Sequence, residues 1–303
     1  MSGDVLTVGT FDGVHRGHWA VLEEIARRAA ASGGRSVLVT FEPHPLEVVN
    51  PEAAPRLLTL PDEKREVLAQ SAVGHVEFLA FTHELALLPP ERFVRDVLER
   101  RFAMAELVIG YDHGFGRGRS GDVELLRRIG REDGFAVDVV PAVMMDGHPV
   151  SSTLIRRAVA GGDLETARRG LGRWYSASGR VVRGAGRGRQ LGVPTINLAP
   201  LHHTKLLPPE GVYAARVAWQ GGRHGAMLNL GPRPTFGEAA RTLEAHLFDF
   251  AGDVVGETVT VEFLRRLRDV QRFTTADDLK AQLRRDRDDA LRALTELGGS
   301  VTL

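Results

Sequence analysis

Cysteine is absent from this chain, which excludes disulfides, thiolate zinc sites and thiol catalysis. Lysine is nearly absent too. Lys64, Lys205 and Lys280 are the whole set, so 36 of the 39 basic residues are arginines. A phosphate bound here is therefore expected on arginine, histidine, hydroxyls, backbone amides or a metal rather than on a lysine. Neither sign of charge is in excess, 39 basic residues facing 39 acidic ones, which argues against a general polyanion binder, nucleic acid included. No apolar run approaches the ~20 residues that span a bilayer. The opening "MSGDVLTVGT" enters a strand pattern with no basic leader before it. These absences lead us to expect a cytoplasmic protein with no membrane partner. What is present, 43% hydrophobic and 26% charged residues over 303 positions, suffices for two ordinary globular domains.

The first half alternates strand and helix patterns. Apolar β-branched runs at 5–10, 35–41, 75–81, 106–110 and 135–142 alternate with helical spacing at 18–32, 61–72, 90–102 and 121–133. That order predicts a doubly wound parallel sheet, with ligands beyond the carboxyl ends of its strands. Two short helices follow, "SSTLIRRAVAGG" and "DLETARRGLG". From about residue 174 the texture becomes strand-like, in "SASGRVVRG", "GVYAARVAW", "RHGAMLNLG", "TLEAHLFDF" and "ETVTVEFLRRL", with Gly and Pro turns between. This spacing predicts a small antiparallel barrel. An amphipathic helix over 275–297 closes the chain, and its "RRDRDD" reads as a solvated face. The expected domains are 1–172 and 173–303.

At the end of the first strand stands "GTFDGVHRGH", Gly9 to His18. Glycines around Asp12 allow a tight turn from strand into helix. His15 and His18, three residues apart in the first helical turn, share a face, and Gly17 between them leaves room for a ligand. Open N–H groups at a helix start attract an anion, so the stretch reads as a phosphate site with two imidazole donors. A surface histidine pair would produce the same letters. Further on, Ser151, Ser152 and Thr153 open a helix pattern that carries Arg156. They suit a pyrophosphate, and equally an N-cap. Gly116, Gly118 and Gly121 spell G-x-G-x-x-G, but "YDHGF" separates them from the preceding strand, so a dinucleotide-binding redox reading is weak.

Together these stretches resemble the adenylyltransferase half of the bacterial bifunctional riboflavin kinase/FAD synthetases. "GTFDGVHRGH" is similar to that family's H-x-G-H signature, and "FEPHP" (41–45), "GYDHGFGRGRSGD" (110–122) and "SSTLIRR" (151–157) follow in the family's order. The resemblance implies a Rossmann-like nucleotidyltransferase domain that transfers AMP from ATP to FMN. It implies nucleotide contacts at Gly9, Phe11, Asp12, His15, Gly17, His18, Ser151, Ser152, Thr153 and Arg156, and flavin contacts at Asp112, Phe115 and Arg119. His44 of "FEPHP" either caps a turn or borders the adenine. His113 stands where the family usually has Phe.

"GRGRQLGVPTIN" (186–197) resembles the family's second signature, in its riboflavin kinase half, with Ile196 in place of the usual Ala. "GVYAARV", "NLGPRPTF" and "LEAHLFDF" extend the likeness over nearly the whole chain. The resemblance implies Glu244 as general base, Thr195 and Asn197 as ligands of Mg2+, phosphate contacts at Gly186 and Arg189, and flavin contacts at Asn229 and Phe248. Strand alternation sets Glu244, His246 and Phe248 on the face opposite Leu243, Ala245 and Leu247. On pattern alone, Glu244 would serve as well as a solvated residue of an edge strand, and the glycine-rich loop as a plain turn. The implied partners are riboflavin, FMN, FAD and ATP, for a monomer or weak homo-oligomer. A flavin-binding regulator without turnover is the competing reading of another class.

Overall fold

The computed structural model describes residues 3–111, 121–184, 186, 188, 192–232 and 241–298. The chain divides into two compact units, Met1–Ser152 and Thr153–Leu303.

In the first unit, β1 (Asp4–Val8), β2 (Ser36–Glu42), β3 (His75–Ala80), β4 (Met104–Gly110) and β5 (Ala136–Val140) form the predicted parallel sheet in the order β3-β2-β1-β4-β5. Strand order reverses between β1 and β4, so the carboxyl end of β1 lies at the switch point where open sheets of this kind bind ligands. Two apolar clusters cover the sheet, one built on Leu6, Val37, Val39, Leu107 and Ile109, the other on Val5, Leu38 and Val108. The second takes in Leu22, Ile25 and Ala29 of α1 (Arg16–Ser32). The helices α2 (Pro45–Val49), α3 (Pro61–Leu68), α4 (His83–Leu87), α5 (Pro90–Arg92) and α6 (Val123–Asp133) link the strands.

The helix expected over 90–102 begins at Pro90, where proline suits a first turn, and then widens into a π-helix over Phe93–Glu99 that buries Phe93, Val94, Val97 and Leu98. A hairpin that the strand patterns did not show pairs β6 (Met144–Met145) with β7 (His148–Pro149). It turns on Asp146 and Gly147 at φ 51° and 79°. Asp-Gly is a known hairpin signal, but two-residue strands are too short to show periodicity.

The second unit holds α7, which runs from Ser152 at the unit boundary (Ser152–Gly161), and α8 (Leu164–Leu171), followed by the barrel. Its strands are β8 (Tyr175–Val182), β9 (Ile196–Leu198), β10 (Gly211–Trp219), β11 (Gly222–Pro232), β12 (Arg241–Leu247) and β13 (Thr258–Arg268). They close antiparallel in the order β10-β11-β12-β9-β8-β13. The predicted five strands could not close alone; β9, three residues long, completes the ring. The last helix, α9 (Ala276–Glu296), packs Ala290, Ala293 and Leu294 on Val212, Ala214, Met227, Phe248 and Leu264, which project from the outside of the barrel. One residue of "RRDRDD" departs from the expected solvated face. Asp286 is buried and accepts two hydrogen bonds from the Arg268 guanidinium, at 2.7 and 2.6 Å, and one from Gln282. A buried carboxylate needs such partners, so the pair fixes α9 to β13.

Candidate active site

Beyond Val8 the chain leaves the sheet at Gly9, whose N–H donates to Val39 O at 3.0 Å. It then enters a turn in which Phe11, Gly13 and Val14 have φ of 49°, 81° and 40°. Glycine adopts that region freely, whereas Phe11 and β-branched Val14 are strained there. Such strain persists only where the surroundings over-determine the turn, and here they do. The Asp12 carboxylate accepts from the N–H groups of Leu58 and Thr59 at 3.0 Å and from the Thr59 hydroxyl. The same hydroxyl accepts from Gly13 N–H at 3.0 Å, and Ser152 Oγ donates to the Asp12 carbonyl at 2.9 Å. Asp12 is therefore a builder of the turn, and Ser152, the last residue of the first unit, is bound to it.

His15 is the N-cap of α1 and His18 its third residue. His18 N–H donates to His15 Nδ1, and His15 N–H donates to His18 Nδ1, both at 3.3 Å. This is a capping box with imidazoles in the places of Ser/Thr and Glu. The rings stack at 3.6 Å and 15°, with the Phe11 ring 4.5 Å from His18. Because each Nδ1 accepts, the neutral rings carry their protons on Nε2. Two Nε2–H donors thus lie side by side at a helix start, ahead of the Arg16 and Gly17 amides that begin the helix. A Cβ at Gly17 would lie 3.1 Å from His15 Cε1, so glycine there lets the ring stack form. Ser151 is half-buried just before α7, and exposed Thr153 and half-buried Arg156 lie on that helix. His44 caps α2, accepting from Leu46 N–H at 3.2 Å.

Sequence reasoning missed Lys64. Buried on α3, it donates from Nζ to Thr10 O, Thr40 Oγ1 and Phe41 O at 3.3, 3.3 and 3.0 Å. Burial pulls its amine down to about 8. It binds the ends of β1 and β2 together, and its rarity in the composition was the available signal.

In the barrel, Glu244 of β12 faces Asn229 of β11 on one side and Asn197 of β9 on the other. Opposed residues of an antiparallel pair have Cβ atoms roughly 5 Å apart, so one carboxylate and two carboxamides form a row across three strands. Leu243, Ala245 and Leu247 are buried while Glu244 and His246 are half-buried, which is the expected alternation. β12 is internal to the ring, so Glu244 is not on an edge strand. Phe248 lies on the outer side with Glu244, buried in the α9 cluster.

Beside the row, a Cβ on Gly184 would stand 2.2 Å from Asn197 Nδ2, and one on Gly188 would stand 2.3 Å from Val193 O and 3.3 Å from Thr195 Oγ1. Gly184 and Gly188 therefore lie directly on the two residues expected to bind metal. Gly186 has a φ of 71°. Thr195 Oγ1 and the Asn197 carboxamide are neutral oxygen donors, a sparse set of the kind that suits Mg2+ bound mainly through substrate phosphates. Asp112, Phe115, Arg119 and Arg189, with Gly116, Gly118 and His113, lie outside the described residues.

Among the described residues no helix is long and apolar enough to cross a membrane. A solved structure named a macrolide-efflux protein from Streptococcus pneumoniae superposes with a TM-score of 0.85 at 31% identity, covering 95% of this chain and 93% of that one. The FAD synthetase family profile matches residues 1–154, and the riboflavin kinase profile matches 171–294. Curated proteins called bifunctional riboflavin kinase/FMN adenylyltransferase are 38% identical in Escherichia coli K12, 39% in Pseudomonas fluorescens and 34% in Haemophilus influenzae. Each match spans 94% of this chain and 90%, 91% and 92% of the relative. The parallel sheet with paired imidazoles at its switch point thus falls in the part that the FAD synthetase profile matches, and the closed barrel with its row of Glu244, Asn229 and Asn197 in the part that the riboflavin kinase profile matches. The chain belongs to the bifunctional riboflavin kinase/FMN adenylyltransferase family.

Proposed function

We propose that the two constellations are the two active sites of this enzyme, each confined to its own head. The chain phosphorylates riboflavin to FMN and adenylates FMN to FAD, with ATP as the donor in both reactions. In our assignment 1–172 is the adenylyltransferase and 173–303 the kinase, which gives α7 and α8 to the first head. The same reading makes the enzyme cytoplasmic, monomeric or weakly self-associating, and free of nucleic-acid and membrane partners.

The stacked histidine pair carries the first assignment. The phosphate of FMN is already ionised, so its attack on the α-phosphorus of ATP needs no base; positioning and charge stabilisation are what remain. His15 and His18 donate from Nε2 to the phosphate oxygens, where negative charge builds as pyrophosphate departs. Ser151, Thr153 and the Arg156 guanidinium bind the leaving pyrophosphate. Gly9 and Phe11 shape the nucleotide site, and Asp12 and Ser152 fix the turn.

For the kinase, the 5′-hydroxyl of riboflavin is not ionised at neutral pH, so a base must take its proton as the γ-phosphoryl arrives. Glu244 does so, and Asn229 beside it orients the flavin, with Phe248 backing the site from the core. The backbone around Gly186, with Arg189, receives phosphate. Members of this family depend on a divalent metal. We take it to be Mg2+ held by Thr195 and Asn197, where the chemistry it supplies when bound is neutralisation of charge on the ATP phosphates. Asp112, Phe115 and Arg119 complete the FMN site in this reading.

The test is a chromatographic time course of flavins after mixing protein with riboflavin, ATP and Mg2+. FMN followed by FAD is expected. Tight flavin binding with no ATP consumption would instead identify a regulator.

A further inference from the structure

β9 joins the barrel through very few backbone pairs. On one side Asn197 and Ile196 face Glu244 and Ala245 of β12; on the other Leu198 and Asn197 face Val181 and Val182 of β8. The ladder ends at Ile196, one residue short of Thr195. Thr195 thus lies beyond regular pairing although a metal ligand must be held in place.

Two contacts continue where the ladder stops. Val193 N–H donates to Gly188 O at 2.9 Å. The other comes from a side chain: His246 Nδ1 lies 2.7 Å from Pro194 O. A carbonyl only accepts, so Nδ1 carries the proton, the opposite tautomer from that of His15 and His18. His246 projects to the same side of β12 as Glu244, one strand period away, and the Phe248 ring meets its imidazole edge-on at 5.7 Å. One strand therefore carries the proposed base and, two residues later, the donor that fixes the carbonyl next to Thr195.

We propose that His246 is a positioning residue of the phosphorylation site, its Nδ1–H extending the β12–β9 ladder to Pro194 and thereby setting Thr195 for the magnesium nucleotide. The inference rests on the assignment of Thr195, Asn197 and Glu244 above. Partners that orient metal ligands typically contribute 10–100-fold to metal affinity or activity. His246→Ala should raise the KM for Mg·ATP in FMN formation by roughly that factor, and His246→Gln should do the same because its amide reaches toward the Nε2 position. His246→Asn puts an N–H near the Nδ1 position and should remain within about 3-fold of the wild type. FAD formation from supplied FMN, measured on the same samples, should not change in any of the three.

A readout independent of activity is the imidazole 15N spectrum of the intact wild-type enzyme, where His246 should carry a proton on Nδ1. A His246 with no proton on Nδ1 overturns the proposal. So does a wild-type KM in the Ala or Gln variants, or an Asn variant as impaired as Ala. Glu244→Gln separates the two levels of the argument. If it leaves FMN formation intact, the site assignment has failed; if it stops FMN formation while His246→Ala is silent, only the role of His246 has failed.

Discussion

Replacing Gly184 with alanine adds one methyl group and nothing else, yet it should disable one of the two reactions. The new Cβ would stand 2.2 Å from Asn197 Nδ2 and 2.6 Å from its Cγ, where ordinary contact begins at 3.4 Å. Restoring ordinary contact takes a separation of 1.2 Å between the two, the difference between 3.4 and 2.2 Å. Asn197 has little room to do so by moving its backbone, which is paired with Glu244 on one side and Val182 on the other. Its side chain has to swing away from the proposed metal position, or Gly184 has to lift from Asn197. Displacements near 1 Å in positioning groups cost on the order of 100-fold in rate. The assay is initial-rate FMN formation from riboflavin at several Mg2+ concentrations, with FAD formation from supplied FMN as the control. A roughly 100-fold loss in the first reaction with no change in the second is expected. A variant that phosphorylates riboflavin at the wild-type rate would refute the role of Asn197 and the reading of the glycine loop as its cradle.

The two-site assignment predicts opposite losses. His18→Ala should abolish FAD formation and leave FMN formation largely intact, whereas Glu244→Gln should slow FMN formation by roughly 100-fold or more and spare FAD formation from supplied FMN. If either variant, still folded, stops both reactions, the division of labour is wrong. Lys64 carries a pH signature. Its buried amine is held at about 8 against 10.5 for the free side chain, so between those values the unfolded chain binds more protons than the folded one. Stability conferred through this residue should therefore rise with pH across that window, by about 3 kcal/mol at most, the burial penalty being fully present below pH 8. Denaturant titrations of wild type and Lys64→Met at pH 8 and 10.5 read the difference; parallel behaviour of the two proteins would dismiss the buried charge.

What the sequence disclosed followed the range over which each feature is encoded. The parallel sheet was legible because β1 to β5 are apolar runs separated by helical periods, whereas the order β3-β2-β1-β4-β5 came only from the folded chain. The histidine pair was legible as a helix start, but not the exchange of Nδ1 bonds that caps it, since nothing in H-x-G-H distinguishes imidazoles facing solvent from imidazoles facing each other. Asp12 read as a ligand contact; not legible was that its carboxylate accepts from amides 46 and 47 residues away, a pairing that only the folded chain brings about. Lys64 and Asp286 were hidden for a like reason. Each is a charged residue in a polar stretch, and its burial depends on partners from other elements.

β9 sharpens the point. Three residues carry no period, so no strand pattern could announce it, but without it β8 and β12 would both be open edges, and open edges invite pairing with other chains. Closure thus requires a strand at this place, and the shortest one that serves leaves the preceding Thr195 outside the ladder, free to present its hydroxyl rather than to pair. A longer β9 would fix the segment more firmly and carry residues 193–195 into the sheet, away from the glycine loop. The short strand keeps the ring closed and leaves the segment before it outside the ladder, and on the assignment of Thr195 proposed above that compromise gives a side chain, His246, the place where a backbone pair would otherwise stand.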